Sequence, residues 1–245
     1  MFGVASFCQE IDFEKDVIYY TDLIKTDPSA NNYYFRGYTK YNLKDYEGAL
    51  EDYDKAIELN PDKFEAYFSR GILKEKLKDY TNSIEDYTKC ISLNDKSSKA
   101  YFNRAYTKSL IEDYKGAIED YSKCIVLSPD NSVAYFNRAI LYKISSKFEL
   151  AINDFDSAIK IKTNFIDAYQ NRAVLRAQLK NKDAILDFNK VIELNPENGE
   201  SYYNRAVYCI NFKIEGDYCK DLKKAFQLNY YPAMEILSNK CSKSK

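Results

Sequence analysis

Apolar and small residues return along this chain with two periods, a short one of three to four residues and a long one of 34. The short period is that of a helix with one buried face. The long one shows in residues 98–131, SKAYFNRAYTKSLIEDYKGAIEDYSKCIVLSPDN, which have variants of the same text on either side, at 64–97 and 132–165. A period of this length marks a stack of supersecondary units, each packing on its neighbours. Six repeats follow one another at 30–63, 64–97, 98–131, 132–165, 166–198 and 199–232, the fifth one residue short. With positions numbered 1 to 34 inside a repeat, the pattern predicts two helices joined by a short polar turn, as in LKDY at 43–46 and 77–80.

Small residues recur at position 8 (Gly37, Gly71, Ala105, Ala139, Ala173, Ala206) and at position 20 (Ala49, Ser83, Ala117, Ala151, Ala184, with Tyr218 the exception). They let two helices approach closely. Position 4 is always Tyr, and position 24 is Tyr53, Tyr87, Tyr121, Phe155, Phe188 and Leu222. These large side chains are expected to fill the space the small ones leave. Breakers such as Asn60-Pro61-Asp62 end one repeat, and Asp62 followed by Glu65 suits a cap for the next helix. Residues 1–29 read as a partial repeat, since 12–27 resemble a second helix and close on Pro28. Residues 233–245 read as a capping helix on Ala233, Ile236 and Leu237, then a frayed Ser/Lys-rich tail.

Composition removes several kinds of chemistry. The chain has 245 residues, net charge -1 and no His, so the usual general base and commonest metal ligand are missing. With seven Gly and neither GxxxxGK[ST] nor GxGxxG, it has no phosphate-cradling loop. Carboxylate pairs such as Glu51-Asp52 and Glu85-Asp86 recur in repeat after repeat, where a catalytic pair would occur once. No catalytic residue, metal site or cofactor is expected. No apolar run is long enough to span a membrane, and the N-terminus lacks the basic start of a signal peptide. The six Cys form no CxxC pair and read as small buried thiols in a reducing, cytoplasmic compartment.

Tyr at 4, small at 8 and 20, aromatic at 24, Ala at 27 and Pro at 32 together resemble the tetratricopeptide repeat family. The resemblance spans about 30–232. It implies an all-α fold, a right-handed α-solenoid of stacked helix-turn-helix repeats. It also implies that the first helices line a concave groove that takes a peptide or protein.

One departure recurs. Position 7, usually Leu in the family, is Arg36, Arg70, Arg104, Arg138, Arg172 and Arg205, and position 23 is Asp in all six repeats. The two positions lie equally far from the turn near position 15. A ladder of Arg–Asp pairs stapling each hairpin is expected, against the alternative of a basic strip for acidic ligands.

On the first helix, positions 2, 5, 9 and 12 share a stripe. Position 5 is Tyr34, Phe68, Phe102, Phe136, Gln170 and Tyr203; position 9 is Tyr38, Ile72, Tyr106, Ile140, Val174 and Val207. Such a row suits an apolar partner segment, or else its position 5 rings are packed between successive first helices. Position 6 is Asn103, Asn137, Asn171 and Asn204 in four successive repeats. That looks like the asparagine ladder of peptide-binding family members, or else a residue that packs locally. The family's carboxylate clamp for acidic chaperone tails lacks its cations here. The reading is a non-enzymatic scaffold for a peptide or amphipathic helix. The alternatives are an oligomer that self-associates through the incomplete N-terminal repeat, and an RNA-binding helical repeat, which the balanced charge disfavours.

Overall fold

The computed structural model describes residues 12–214 and 217–241. Cys8, the expected absence of a leader and the frayed tail lie outside them. Among the described residues there are fourteen α-helices and no strand. They fall into two compact bodies, one through Leu127 and one from Ser128.

The first body holds α1 (Phe13–Thr26), α2 (Ala30–Asn42), α3 (Tyr46–Leu59), α4 (Phe64–Lys76), α5 (Tyr80–Leu93), α6 (Ser98–Leu110) and α7 (Tyr114–Leu127). Each helix packs on the next, and α2, α4 and α6 also touch in series. The hairpin turns share one device. Lys44, Lys78 and Glu112 adopt positive φ, and the following Asp caps the second helix. Asp45 N–H closes the turn on Lys40 O at 2.9 Å, while its carboxylate accepts from Gly48 N–H at 3.0 Å. Before α4 the expected cap is not used. The residue preceding the helix is Lys63, without a side-chain cap, and Asp62 sits one residue too early, its N–H bonded to Asn60 Oδ1.

The core of this body is the position 24 ring set in a frame of small residues. Tyr53, Tyr87 and Tyr121 are fully buried, as are Ala49, Ser83 and Ala117. The approach is close: a Cβ on Gly71 would lie 2.9 Å from Tyr87 Cε1. Position 4 departs from expectation. Tyr33, Tyr67 and Tyr101 are only half-buried, and each ring lies beneath the guanidinium three residues on, at 5.4 to 5.8 Å.

The second body holds α8 (Ser132–Ile144), α9 (Phe148–Ile161), α10 (Ile166–Gln178), α11 (Ala184–Leu194), α12 (Gly199–Phe212), α13 (Tyr218–Gln227) and α14 (Ala233–Ile236), which runs into a π-helical segment, Leu237–Cys241. Phe155, Phe188 and Leu222 take the ring position. The residue missing from the fifth repeat shortens α11 at its start, where Asn181 O instead accepts the buried Tyr208 hydroxyl at 2.9 Å. After α13 the chain folds back, and Ala233 packs on Leu222 and Ala225. That reversal brings Cys219 and Cys241 into a disulfide with Cα atoms 5.7 Å apart. The reading of every Cys as a reduced thiol is thereby corrected. It holds for Cys90, Cys124 and Cys209, which are buried and outside any disulfide, the first pushed up to about 12 by burial.

The fold is all-α, an α-solenoid of helix-turn-helix repeats stacked in series within each body.

Candidate functional site

The Arg–Asp ladder orients the first helices. In every repeat Nε and Nη2 of the Arg form a two-pronged fork on the Asp carboxylate. The distances run from 2.6 to 2.9 Å for Arg36–Asp52, Arg70–Asp86, Arg104–Asp120, Arg138–Asp154 and Arg205–Asp221. Arg172 forks onto Asp187 in the same way. The acids are buried and the guanidinium groups nearly so. The staple is structural, and no open basic strip is left.

Two features of the ladder escaped the spacing argument. The remaining nitrogen, Nη1, reaches back to position 25 of the preceding repeat: Arg70 to Asp54 at 2.6 Å, Arg104 to Thr88 at 3.0 Å, Arg205 to Asn189 at 2.8 Å, and Arg172 to Asp156. One side chain therefore closes its own hairpin and fastens it to its neighbour. A second cation, from position 11, joins the same Asp in four repeats: Lys40, Lys74, Lys108 and Arg176 at 2.8 to 2.9 Å. The signal was present as a basic residue four places after the Arg.

With positions 7 and 11 turned to the second helix, the stripe at 5, 9 and 12 is left on the far side. In the first body Tyr34, Phe68 and Phe102 are half-buried, each against the position 24 ring of its own hairpin at 5.5 to 6.1 Å. They form a wall shared by the core and this face. Tyr38 and Tyr106 stand out from it, 47% and 43% exposed, with Ile72 half-buried. A hollow of about 60 Å³ is lined by Tyr38, Tyr41, Tyr53, Ser69 and Ile72. In the second body Phe136 leans on Phe155 and Phe165, Tyr203 on Tyr230, and Ile140 is half-buried. There the structure brings Asn171, Val174 and Asn204 together in a polar hollow of about 500 Å³ with Asp167, Gln170, Asn198 and Glu200. A larger hollow, about 830 Å³, lies elsewhere, between α11 and α13, and is floored by the Arg205–Asp221 staple.

The four asparagines differ in what they have left to offer. Asn171 is engaged at both ends, donating to Asp167 O at 3.0 Å and accepting from Lys143 Nζ at 2.8 Å. Asn204 makes no side-chain hydrogen bond among the described residues, whereas Asn103 lies close enough to act on the Tyr87 hydroxyl. Asn137 is half-buried on α8.

Two half-buried charges on this face stand outside the ladder, both at position 12. Glu75 on α4 is half-buried, and burial raises its carboxyl above the ordinary value, a hydrogen bond from Thr107 acting against the rise. Lys143 on α8 is half-buried too, and burial lowers it. Neither is in an ion pair among the described residues.

Family models match the chain at residues 37–78, as "TPR repeat", and at 64–97, 98–131 and 121–153, as "Tetratricopeptide repeat". No curated protein matches by sequence. Several solved structures do by fold. The C-terminal part of a TPR repeat-containing protein from Cytophaga hutchinsonii gives a TM-score of 0.78 at 17% identity, over 91% of this chain and 95% of that one. YrrB, a TPR protein, gives 0.66 at 20% identity, over 74% and 95%. MamA gives 0.64 at 24% identity, over 67% and 96%. At these identities the likeness is one of fold. In its period, its paired helices and its matched sequence alike, the chain carries tetratricopeptide repeats, which the family models match over residues 37–153.

Proposed function

We propose that the protein is a non-enzymatic scaffold that binds a peptide or an amphipathic helix across its first helices. The observation that carries this reading is the row Tyr34, Tyr38, Phe68, Ile72, Phe102 and Tyr106 on α2, α4 and α6, with Tyr38 and Tyr106 exposed. A row of half-buried rings from which Tyr38 and Tyr106 stand out gains by being covered with a partner's side chains. Catalysis has little support: the chain has no His, and the thiols outside the disulfide among the described residues are buried. YrrB, a fold neighbour, is described as having "an unusual peptide-binding site", which accords with this use of the scaffold.

The test is selection of a random-peptide display library on the immobilised full chain beside the double variant Tyr38→Ser with Tyr106→Ser. Enrichment on the wild type that the variant loses, at unchanged melting temperature, is the expected result. Enrichment indifferent to the variant would overturn the reading.

One observation favours a second reading, self-association through α1. This helix buries no residue, and Ile18 and Tyr19 are 63% and 60% exposed. Light scattering over a concentration series with the wild type and Tyr19→Asp separates the two.

A further inference from the structure

We propose that Glu75 forms a subsite on the first-helix face for a cationic side chain, Lys or Arg, of the bound peptide. The proposal rests on the scaffold reading above and specifies the partner's chemistry.

Phe68, Ile72 and Glu75 stand at i, i+4 and i+7 on α4, so the carboxylate continues the apolar stripe by one turn. Its oxygens are unequally served. Oε2 accepts from the Thr107 hydroxyl on α6 at 2.6 Å. Oε1 accepts from nothing among the described residues, and no Lys or Arg pairs with the group. By contrast Asp52, Asp86 and Asp120, which are fully buried, each hold two cations.

The surroundings give Glu75 no internal counter-charge. From α5 the ring nearest in effect is Tyr87, whose wholly buried hydroxyl has no hydrogen-bond partner. Burial chiefly, with the Glu75 charge adding to it, keeps that hydroxyl protonated. From α6 come only the neutral Thr107 and Asn103, the latter close enough to act on Tyr87. A carboxylate in a half-dry site attracts a cation more strongly than one in open water. The exposed Tyr106, next to Thr107 on α6, adds an aromatic face of the kind on which Lys stems and Arg planes lie. A metal ion is a poorer occupant, because no cluster of three or more ligating side chains exists among the described residues.

The same display selection tests this when run in parallel on the wild type, Glu75→Gln and the Tyr38→Ser, Tyr106→Ser double variant. Lys or Arg should recur at one place in the peptides the wild type enriches. The best of these, synthesised and measured by fluorescence anisotropy, should bind Glu75→Gln at least ~10-fold more weakly. Replacing its basic residue by norleucine should then bring the two proteins level. If Glu75→Gln binds every selected peptide like the wild type while the double variant binds none, the subsite is wrong and the scaffold reading stands. If nothing is enriched, or the double variant binds as the wild type does, both fail. Glutamine keeps an acceptor for Thr107, so the melting temperature of Glu75→Gln should hold or rise. A clear fall would make Glu75 a structural acceptor and overturn the proposal as well.

Discussion

The ladder predicts unequal consequences for one substitution made in two repeats. Asp120 is held by Arg104 and by Lys108, whereas Asp154 is held by Arg138 alone, because Tyr142 stands where Lys108 would be. Arg104→Met leaves a buried carboxylate with one cation at 2.8 Å. Arg138→Met leaves a buried carboxylate with none. Removing one partner of a buried pair costs about 3–5 kcal/mol. The guanidinium groups here are 16% exposed, which places Arg138→Met at the lower end of that range. Arg104→Met, with Lys108 still in place, should cost roughly half as much. At about 2–4 °C per kcal/mol for a chain of this size, Arg138→Met lowers Tm by about 6–12 °C and Arg104→Met by about 3–6 °C. Thermal melts followed by circular dichroism read both. Adding Asp154→Leu to Arg138→Met removes the orphaned charge and should recover most of the loss. Equal losses in the two single variants, or no recovery in the double, would refute the account of the ladder as paired charge.

Other consequences follow from single features. Reducing the Cys219–Cys241 disulfide, which closes a loop of 22 residues, should weaken the C-terminal end by about 3 kcal/mol. Hydrogen exchange with and without reductant should show protection lost in α13 and α14 and kept in α2 to α6. Lys78 sits at φ 65°, so Lys78→Gly should raise stability by about 1 kcal/mol, read as a higher Tm. Burial holds the Glu75 carboxyl above the ordinary glutamate value, so the folded chain keeps that proton to higher pH than the unfolded one. Its charge therefore opposes folding near pH 7 and not near pH 4, and Glu75→Gln should raise Tm only at the higher pH.

The repeat and its helices are legible because a 3.6-residue pattern inside a strict long period leaves one architecture. The Arg–Asp pairing is legible for a similar reason: distance from the turn decides what faces what in a hairpin. Reach between hairpins is not encoded that way. Nothing in the spacing shows that Arg70 Nη1 arrives at Asp54, because that depends on the offset between successive repeats. Tyr67 and Tyr87 are both rings at helical phase, yet only Tyr87 faces Gly71 and Ser83 and is buried. The Cys219–Cys241 pair was hidden because its proximity is made by the reversal after α13, which no motif marks. The Asn row was legible as a row, but Asn171 is occupied by Lys143, a residue in a different repeat and at a different position.

Sameness and difference among the repeats divide structure from recognition. Positions 7 and 23 are Arg and Asp in all six repeats, and the structure uses each of them to hold the hairpin. Position 12 runs Tyr41, Glu75, Ser109, Lys143, Ala177 and Ile210, with no common chemistry. If that position served packing, its charged members would be expected on the surface or in ion pairs, as charges elsewhere in the ladder are. Glu75 and Lys143 are instead half-buried, of opposite sign, and each hydrogen-bonded to one neutral side chain of the next first helix, Thr107 and Asn171. A scaffold built from identical units can tell one ligand from another only where the units differ. Position 12 is such a place, on the face left open by the ladder, and Glu75 is the member whose second oxygen is still unserved.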